Sequence, residues 1–237
     1  MFKNKKFILG GLVILIILII IIIVLFVKKE GNNSAEENNR LNIDAARAQT
    51  YATPPKPSLA SDDKIFGSAQ AALKIFVYED YADLYSSRLA DTLDQLRLEN
   101  GDQLAIIVRP YISATNNLSA PAAEAVACAG EQEKWKEMRA LLFAQVKAGH
   151  LALANFGSYG EQIGLKLNDF GTCLTKNQKS EKIEQLTAAP KEYGVIGAPT
   201  MFVGSEIILG ARPYENFTDS NGDKIEGLKT VVERLLK

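Results

Sequence analysis

The run Leu73-Lys74-Ile75-Phe76-Val77-Tyr78 and, one helix length later, Leu104-Ala105-Ile106-Ile107-Val108 decide the fold of this chain. Both are short, rich in β-branched residues and bounded by polar ones, the pattern of strands at the centre of a sheet. Between them Tyr85, Leu89, Leu93 and Leu96 recur at spacings of four, four and three, which sets them on one face of a helix ending near Asn100-Gly101. A strand, a helix and a strand joined over this distance form a right-handed βαβ unit, so the two strands are expected to run parallel.

Toward the C-terminus the pattern becomes helical after Pro110. Ser119 is expected as an N-cap with Pro121 just inside the helix. Trp135, Met138 and Leu142 fall at helical spacing, and helical segments continue to about Lys191, giving a helical insertion over about 113–191. Thr200 to Val203 and Glu206 to Leu209 flank Gly204-Ser205 and read as a hairpin. A last helix, Leu228 to Leu236, presents Leu228, Val231, Val232 and Leu235 on its apolar face. No internal repeat is apparent. The class is α/β.

Toward the N-terminus, residues 28–61 are polar and then Pro-rich, ending in Thr53-Pro54-Pro55-Lys56-Pro57-Ser58, a composition that resists packing and stiffens into an extended tether. Ahead of it, Phe7 to Val27 carries no charge and is dominated by Ile, Leu and Val; its roughly 21 residues are enough to cross a hydrocarbon core of about 30 Å as a helix. The run ends in Lys28-Lys29-Glu30 without the small-residue site of a cleavable signal, so an uncleaved transmembrane anchor is expected at 7–27, with 1–6 in the cytoplasm. Lys3, Lys5 and Lys6 barely outnumber Lys28 and Lys29, a slight preference for an inside N-terminus. The chain's two cysteines, Cys128 and Cys173, are an even count that suits an exported, disulfide-permissive domain. A net charge of -1 supplies no basic field for nucleic acid. The 62–237 remainder is one domain by size.

The element order, together with Phe76-Val77-Tyr78-Glu79-Asp80-Tyr81-Ala82-Asp83-Leu84-Tyr85-Ser86, resembles the DsbA-like thioredoxin family, in which an acidic-aromatic pair precedes Cys-Pro-Tyr-Cys. Ala122 to Gln132, Trp135 and Asp169-Phe170-Gly171-Thr172-Cys173-Leu174 look like that family's insertion helices. Gly194-Val195-Ile196-Gly197-Ala198-Pro199-Thr200-Met201-Phe202-Val203, followed by Gly210-Ala211-Arg212-Pro213-Tyr214, is similar to its cis-proline loop and last strands. The resemblance covers about 62–237 and implies a thioredoxin-like fold with a helical insertion, a cis Ala198-Pro199 bond, a peptide-binding edge at Ala198, Pro199 and Thr200, and a structural disulfide between Cys128 and Cys173.

The chain departs from the family where the chemistry resides. Asp83-Leu84-Tyr85-Ser86 stands in place of Cys-Pro-Tyr-Cys. Thiol-disulfide exchange needs an attacking thiolate and a resolving thiol, and neither a carboxylate nor a hydroxyl can replace them. The usual site is therefore expected to be redox-inactive, with no catalytic residue there. Asp83 reads first as a helix N-cap, with a general acid or base as the alternative. Ser86 reads as a polar residue of the first turn, since no base is placed beside it. His150, after Gly149, reads as a helix-end or surface residue. Asp219-Ser220-Asn221-Gly222-Asp223 begins like a calcium loop, but Lys224 occupies the sixth position and Thr230 the twelfth, so a polar turn is expected.

Together these features give an expectation of a membrane-anchored, extracytoplasmic module of the cell envelope that binds extended peptides or unfolded proteins, with no metal or cofactor. Two alternatives stand beside it. One is a thiol-disulfide oxidoreductase working through Cys128 and Cys173. The other is a glutathione-binding enzyme, since some members of the family carry serine at the first cysteine position; here that position is Asp83, whose charge would repel a thiolate.

Overall fold

Strands β1 (Lys64–Phe66), β2 (Leu73–Glu79), β3 (Leu104–Pro110), β4 (Thr200–Val203) and β5 (Glu206–Leu209) form one sheet in the order β1-β3-β2-β4-β5. The computed structural model describes residues 56–176 and 180–237. The Phe7–Val27 span and the tether as far as Pro55 lie outside the described residues; among the described ones no helix is long and apolar enough to cross a membrane. As the βαβ pattern requires, β2 and β3 are parallel, with Leu73 opposite Leu104. The remaining pairs are antiparallel, and the β4–β5 hairpin turns at Gly204, whose φ of 59 lies in the region that glycine enters freely. Edge strand β1 has three residues, too short to show an alternation in the sequence.

The crossover helix α1 (Leu84–Asn100) ends at Gly101, whose N–H donates to the Arg97 carbonyl. Leu89, Leu93 and Leu96 are 1% exposed, each contributing about 1.5–3 kcal/mol relative to an exposed side chain. Tyr85 does not join them and is 59% exposed. The buried stripe runs back from Leu89 through Ser86 instead, so the inward position of the first turn belongs to a fully buried serine and Tyr85 points to solvent.

The insertion comprises α2 (Ser119–Gly130), α3 (Trp135–Ala148), α4 (Phe156–Gln162), α5 (Leu167–Thr175) and α6 (Ser180–Glu192). Ser119 is not the cap of α2 but its first residue: Leu118 precedes the helix, and the Ser119 hydroxyl is turned toward the chain before it, accepting from Ser113 N–H at 2.9 Å. Trp135, Met138, Leu142 and Phe143 bury against the same core as Leu89 and Leu93, which joins the insertion to the sheet. Cys128 of α2 and Cys173 of α5 form a disulfide with Cα atoms 5.9 Å apart, closing a sequence separation of 45.

Strands β6 (Phe217–Thr218) and β7 (Lys224–Ile225) form a small hairpin ahead of α7 (Leu228–Leu235), which buries Leu228, Val231 and Val232. In its turn the Asp219 carboxylate accepts from the N–H groups of Asn221 and Asp223, both at 2.9 Å, an arrangement of a backbone turn rather than of a calcium loop. His150 is exposed beyond Gly149, its N–H bonded to the Gln145 carbonyl at the end of α3.

On the sheet face opposite α1, Phe76, Tyr78, Ala105, Ile107 and Phe202 form a second core. Arg109 fixes the chain leading into β1 near this face: Nε and Nη2 donate to the two Asp63 carboxylate oxygens at 2.8 Å each, Nη2 donates to the Ser58 carbonyl at 2.6 Å, and Nη1 donates to the Tyr78 hydroxyl at 3.1 Å. Packing thus reaches back to Pro57, which is buried.

Candidate functional site

The end of β2 and the start of α1 are joined by a four-residue corner. Asp83 N–H donates to the Asp80 carbonyl at 3.0 Å, and the chain enters α1 with Asp83 extended at φ -109 and ψ 135. Asp83 Oδ2 accepts from Ser86 N–H at 2.6 Å, the side-chain cap that satisfies one of the helix's open donors. Asp83 Oδ1 accepts no hydrogen bond from the described residues. Ser86 is fully buried and its hydroxyl accepts from Asp80 N–H at 3.2 Å. At the two positions where the family resemblance places sulfur, one side chain therefore caps a helix and the other braces a turn.

The second wall is the Ala198-Pro199 loop, whose peptide bond is cis. The Pro199 carbonyl is taken by Gly210 N–H at 2.8 Å, and the Thr200 hydroxyl donates to the Gly197 carbonyl at 2.7 Å. Ala198 differs. Its N–H and C=O make no hydrogen bond among the described residues, so a half-buried stretch of backbone is left open at the sheet's end. The third wall, residues 111–116, is tied to the other two: Tyr111 OH donates to the Ile196 carbonyl at 3.0 Å, and Asn116 Nδ2 donates to the Ala82 carbonyl at 3.1 Å.

Together these walls enclose an open cleft of about 300 Å³ lined by Asp80, Asp83, Tyr111, Ser113, Thr115, Asn116, Ile196, Gly197 and Ala198. Of the residues expected at the site, Asp83 and Ala198 line it. Leu84 and Tyr85 are exposed beside it, while Ser86, Pro199 and Thr200 are buried behind it. Tyr111, Ser113 and Asn116 carry no local motif in the sequence, and Asp80 stands out there only as part of the acidic-aromatic pair; all four line the cleft. Asp80 is 2% exposed and accepts from Ala82 N–H at 2.9 Å. Burial raises its carboxyl above the ordinary aspartate range; the Ala82 N–H, the Ser119 hydroxyl and the Ser113 N–H draw it back, and the Asp83 charge adds to the rise.

Glu79 at the end of β2 meets Arg139 of α3 in a buried bidentate pair, with Nε–Oε1 at 2.5 Å and Nη2–Oε2 at 2.8 Å. The guanidinium lies over Phe66 and Phe143, at 5.1 and 5.0 Å from their ring centroids. This pair ties the end of β2, next to the lining residue Asp80, to the insertion. Burial also pushes the neighbouring Tyr81 phenol up.

Cys128 and Cys173 border a different pocket, with Glu131, Gln132, Asp169 and Thr172, and it shares no lining residue with the cleft. Both cysteines lie in the last turn of their helices, α2 and α5. A helix C-terminus carries partial negative charge and opposes the thiolate that exchange chemistry needs.

A family model described as thioredoxin matches residues 60–220, the greater part of the chain. No match is found among curated protein sequences. Among solved structures, the chain is similar to oxidised BdbD from Bacillus subtilis, with 15% identity, a TM-score of 0.63, and coverage of 78% of this chain and 98% of that one. It is similar to the thiol-disulfide exchange protein alpha-DsbA2 from Wolbachia pipientis, with 19% identity, a TM-score of 0.59, and coverage of 83% and 98%. The catalytic domain of Proteus mirabilis ScsC matches at 21% identity and a TM-score of 0.56, over 75% of this chain and 90% of that one. At these identities the likeness carries the fold, which is the thioredoxin-like fold of DsbA-type proteins.

Proposed function

We propose, on the premise that this chain belongs to the thioredoxin family, that it is a redox-silent member of DsbA-type fold that binds extended peptide segments in the cleft between Asp83 and Ala198. The open backbone of Ala198 carries this reading. An unpaired N–H and C=O at a sheet end are the groups that an extended peptide satisfies by adding itself as a strand. Asp83 and Ser86 give no exchange chemistry, because neither side chain can form a disulfide with a substrate. The one sulfur pair is already bonded, away from the cleft and at helix ends that oppose a thiolate.

The uncharged Phe7–Val27 run supports a single-pass membrane anchor with the domain on the oxidising side, where the Cys128–Cys173 bond is stable. A tether would then present the cleft to unfolded proteins of the cell envelope.

The test is a titration of the purified full chain with a panel of labelled unstructured peptides, compared with a Gly197→Trp variant. Gly197 lines the cleft and a Cβ there meets no atom within 4 Å, so a bulky side chain can be introduced at the cleft wall without a clash at its Cβ. Binding by the parent and its loss in the variant are expected; equal binding by both would overturn the reading.

A further inference from the structure

The cleft is anionic. Asp80 and Asp83 both line it, and no lysine, arginine or histidine is among its lining residues; the other polar groups there include Ser113, Asn116 and Tyr111, all uncharged at neutral pH. The N-terminus of α1 opposes this charge with only about half a positive charge, and Asp83 already caps it. Two carboxylates against half a charge leave the cleft negative. Arg88 is exposed and is not among the lining residues; its guanidinium lies 5.8 Å from the Tyr85 ring centroid.

The two carboxylates do not stand alone. Asp80 is 2% exposed yet reaches the cleft, and Asp83 Oδ1 has no donor among the described residues. The open Ala198 backbone sits on the opposite wall. Around the mouth, apolar surface is left uncovered: Ile196 is 83% exposed, and Tyr85 and Leu84, which follow Asp83 in the chain, are 59% and 37% exposed.

From this arrangement we infer that the occupant is an extended polypeptide segment with a lysine or arginine side chain set between apolar residues. The inference rests on the peptide-binding reading and specifies its substrate class. The backbone of the segment pairs with Ala198, its cationic side chain enters between Asp80 and Asp83, and its apolar neighbours cover Ile196 and Tyr85. Successive side chains of an extended strand point to opposite faces, which lets one segment supply both kinds of contact.

Three labelled ten-residue peptides, identical except for a central Lys, Gln or Glu between leucines, are titrated into the full chain by fluorescence anisotropy, and the titrations are repeated with Asp83→Asn. Asparagine caps a helix about as well as aspartate, so the variant removes charge and keeps the fold. The lysine peptide is expected to bind about tenfold or more tighter than the glutamate peptide, with the ratio falling severalfold in the variant, where Asp80 alone keeps its charge, and falling with added salt. Equal binding of all three peptides, or a preference for glutamate, would overturn the charge inference and leave the peptide-binding reading standing. No binding by any of them would remove both.

Discussion

Two pairs of residues occupy comparable places in the chemistry of this fold and opposite places in its electrostatics. Asp83 and Ser86 stand at the N-terminus of α1, where the helix field favours an anion, and they contain no sulfur. Cys128 and Cys173 contain all the sulfur the chain has in cysteine, and they lie in the last turns of α2 and α5, where the field opposes one. A thioredoxin framework therefore does not by itself supply exchange chemistry. A helix N-terminus is one of the environments that stabilise a thiolate, and in this chain the cysteines and the N-terminus of α1 are separated.

Four perturbations sharpen that contrast, in descending order of expected effect. The Glu79–Arg139 pair connects the end of β2 to the insertion that holds the disulfide. Arg139→Met leaves Glu79 buried without its counter-charge and is expected to cost about 3–5 kcal/mol in urea unfolding. Replacing both partners by apolar residues of similar size is expected to recover most of that loss.

Replacing both cysteines by serine opens the loop closed over a separation of 45 and is expected to cost roughly 4 kcal/mol or somewhat less on the chain-entropy estimate. Under conditions where that variant remains folded, its peptide affinity should match the parent's, because the disulfide and the cleft share no lining residue. A large loss of affinity in the folded variant would join the two regions functionally.

Asp83→Ala removes the side-chain cap and is expected to cost about 1 kcal/mol, read as a shift of the urea midpoint, with Asp83→Asn costing much less. An alanine variant as stable as the parent would mean that Asp83 contributes nothing as a cap.

The smallest effect concerns pH. Asp80 faces the Asp83 charge, the Ser119 hydroxyl of α2, and the N–H groups of Ser113 and Ala82; burial, first among these influences, raises its pKa. A raised carboxylate takes up its proton at a higher pH than a free aspartate, so affinity for the lysine peptide should decline with falling pH before reaching the ordinary aspartate value of about 3.9. The glutamine peptide should show a shallower profile in the same titration.

Much of the framework could be read from residue order. The parallel pair β2–β3, the Gly204 hairpin and the final helix follow from local runs whose periodicity matches the elements they form. The pairing of Cys128 with Cys173 came from family resemblance, since two cysteines far apart in sequence carry no local signal of contact. Spacing from Leu89 permits either Tyr85 or Ser86 to face inward, and packing at the sheet end selects the serine. Ser119 carries the residue type of a cap, but its hydroxyl turns to the loop before α2. The Tyr111–Asn116 wall of the cleft was not legible because contacts to Ile196 and Ala82 create it, across 85 and 34 positions of sequence. The Glu79–Arg139 strut is hidden for the same reason: its partners are 60 positions apart.

The central proposal is that this chain carries its two cysteines away from the position where exchange chemistry is performed in the fold. Its most direct test is insulin reduction by the full chain in the presence of dithiothreitol, run beside a Cys128→Ser variant. No acceleration over dithiothreitol alone is expected from either protein; turnover by the parent that disappears in the variant would contradict the claim and make Cys128 and Cys173 a redox site.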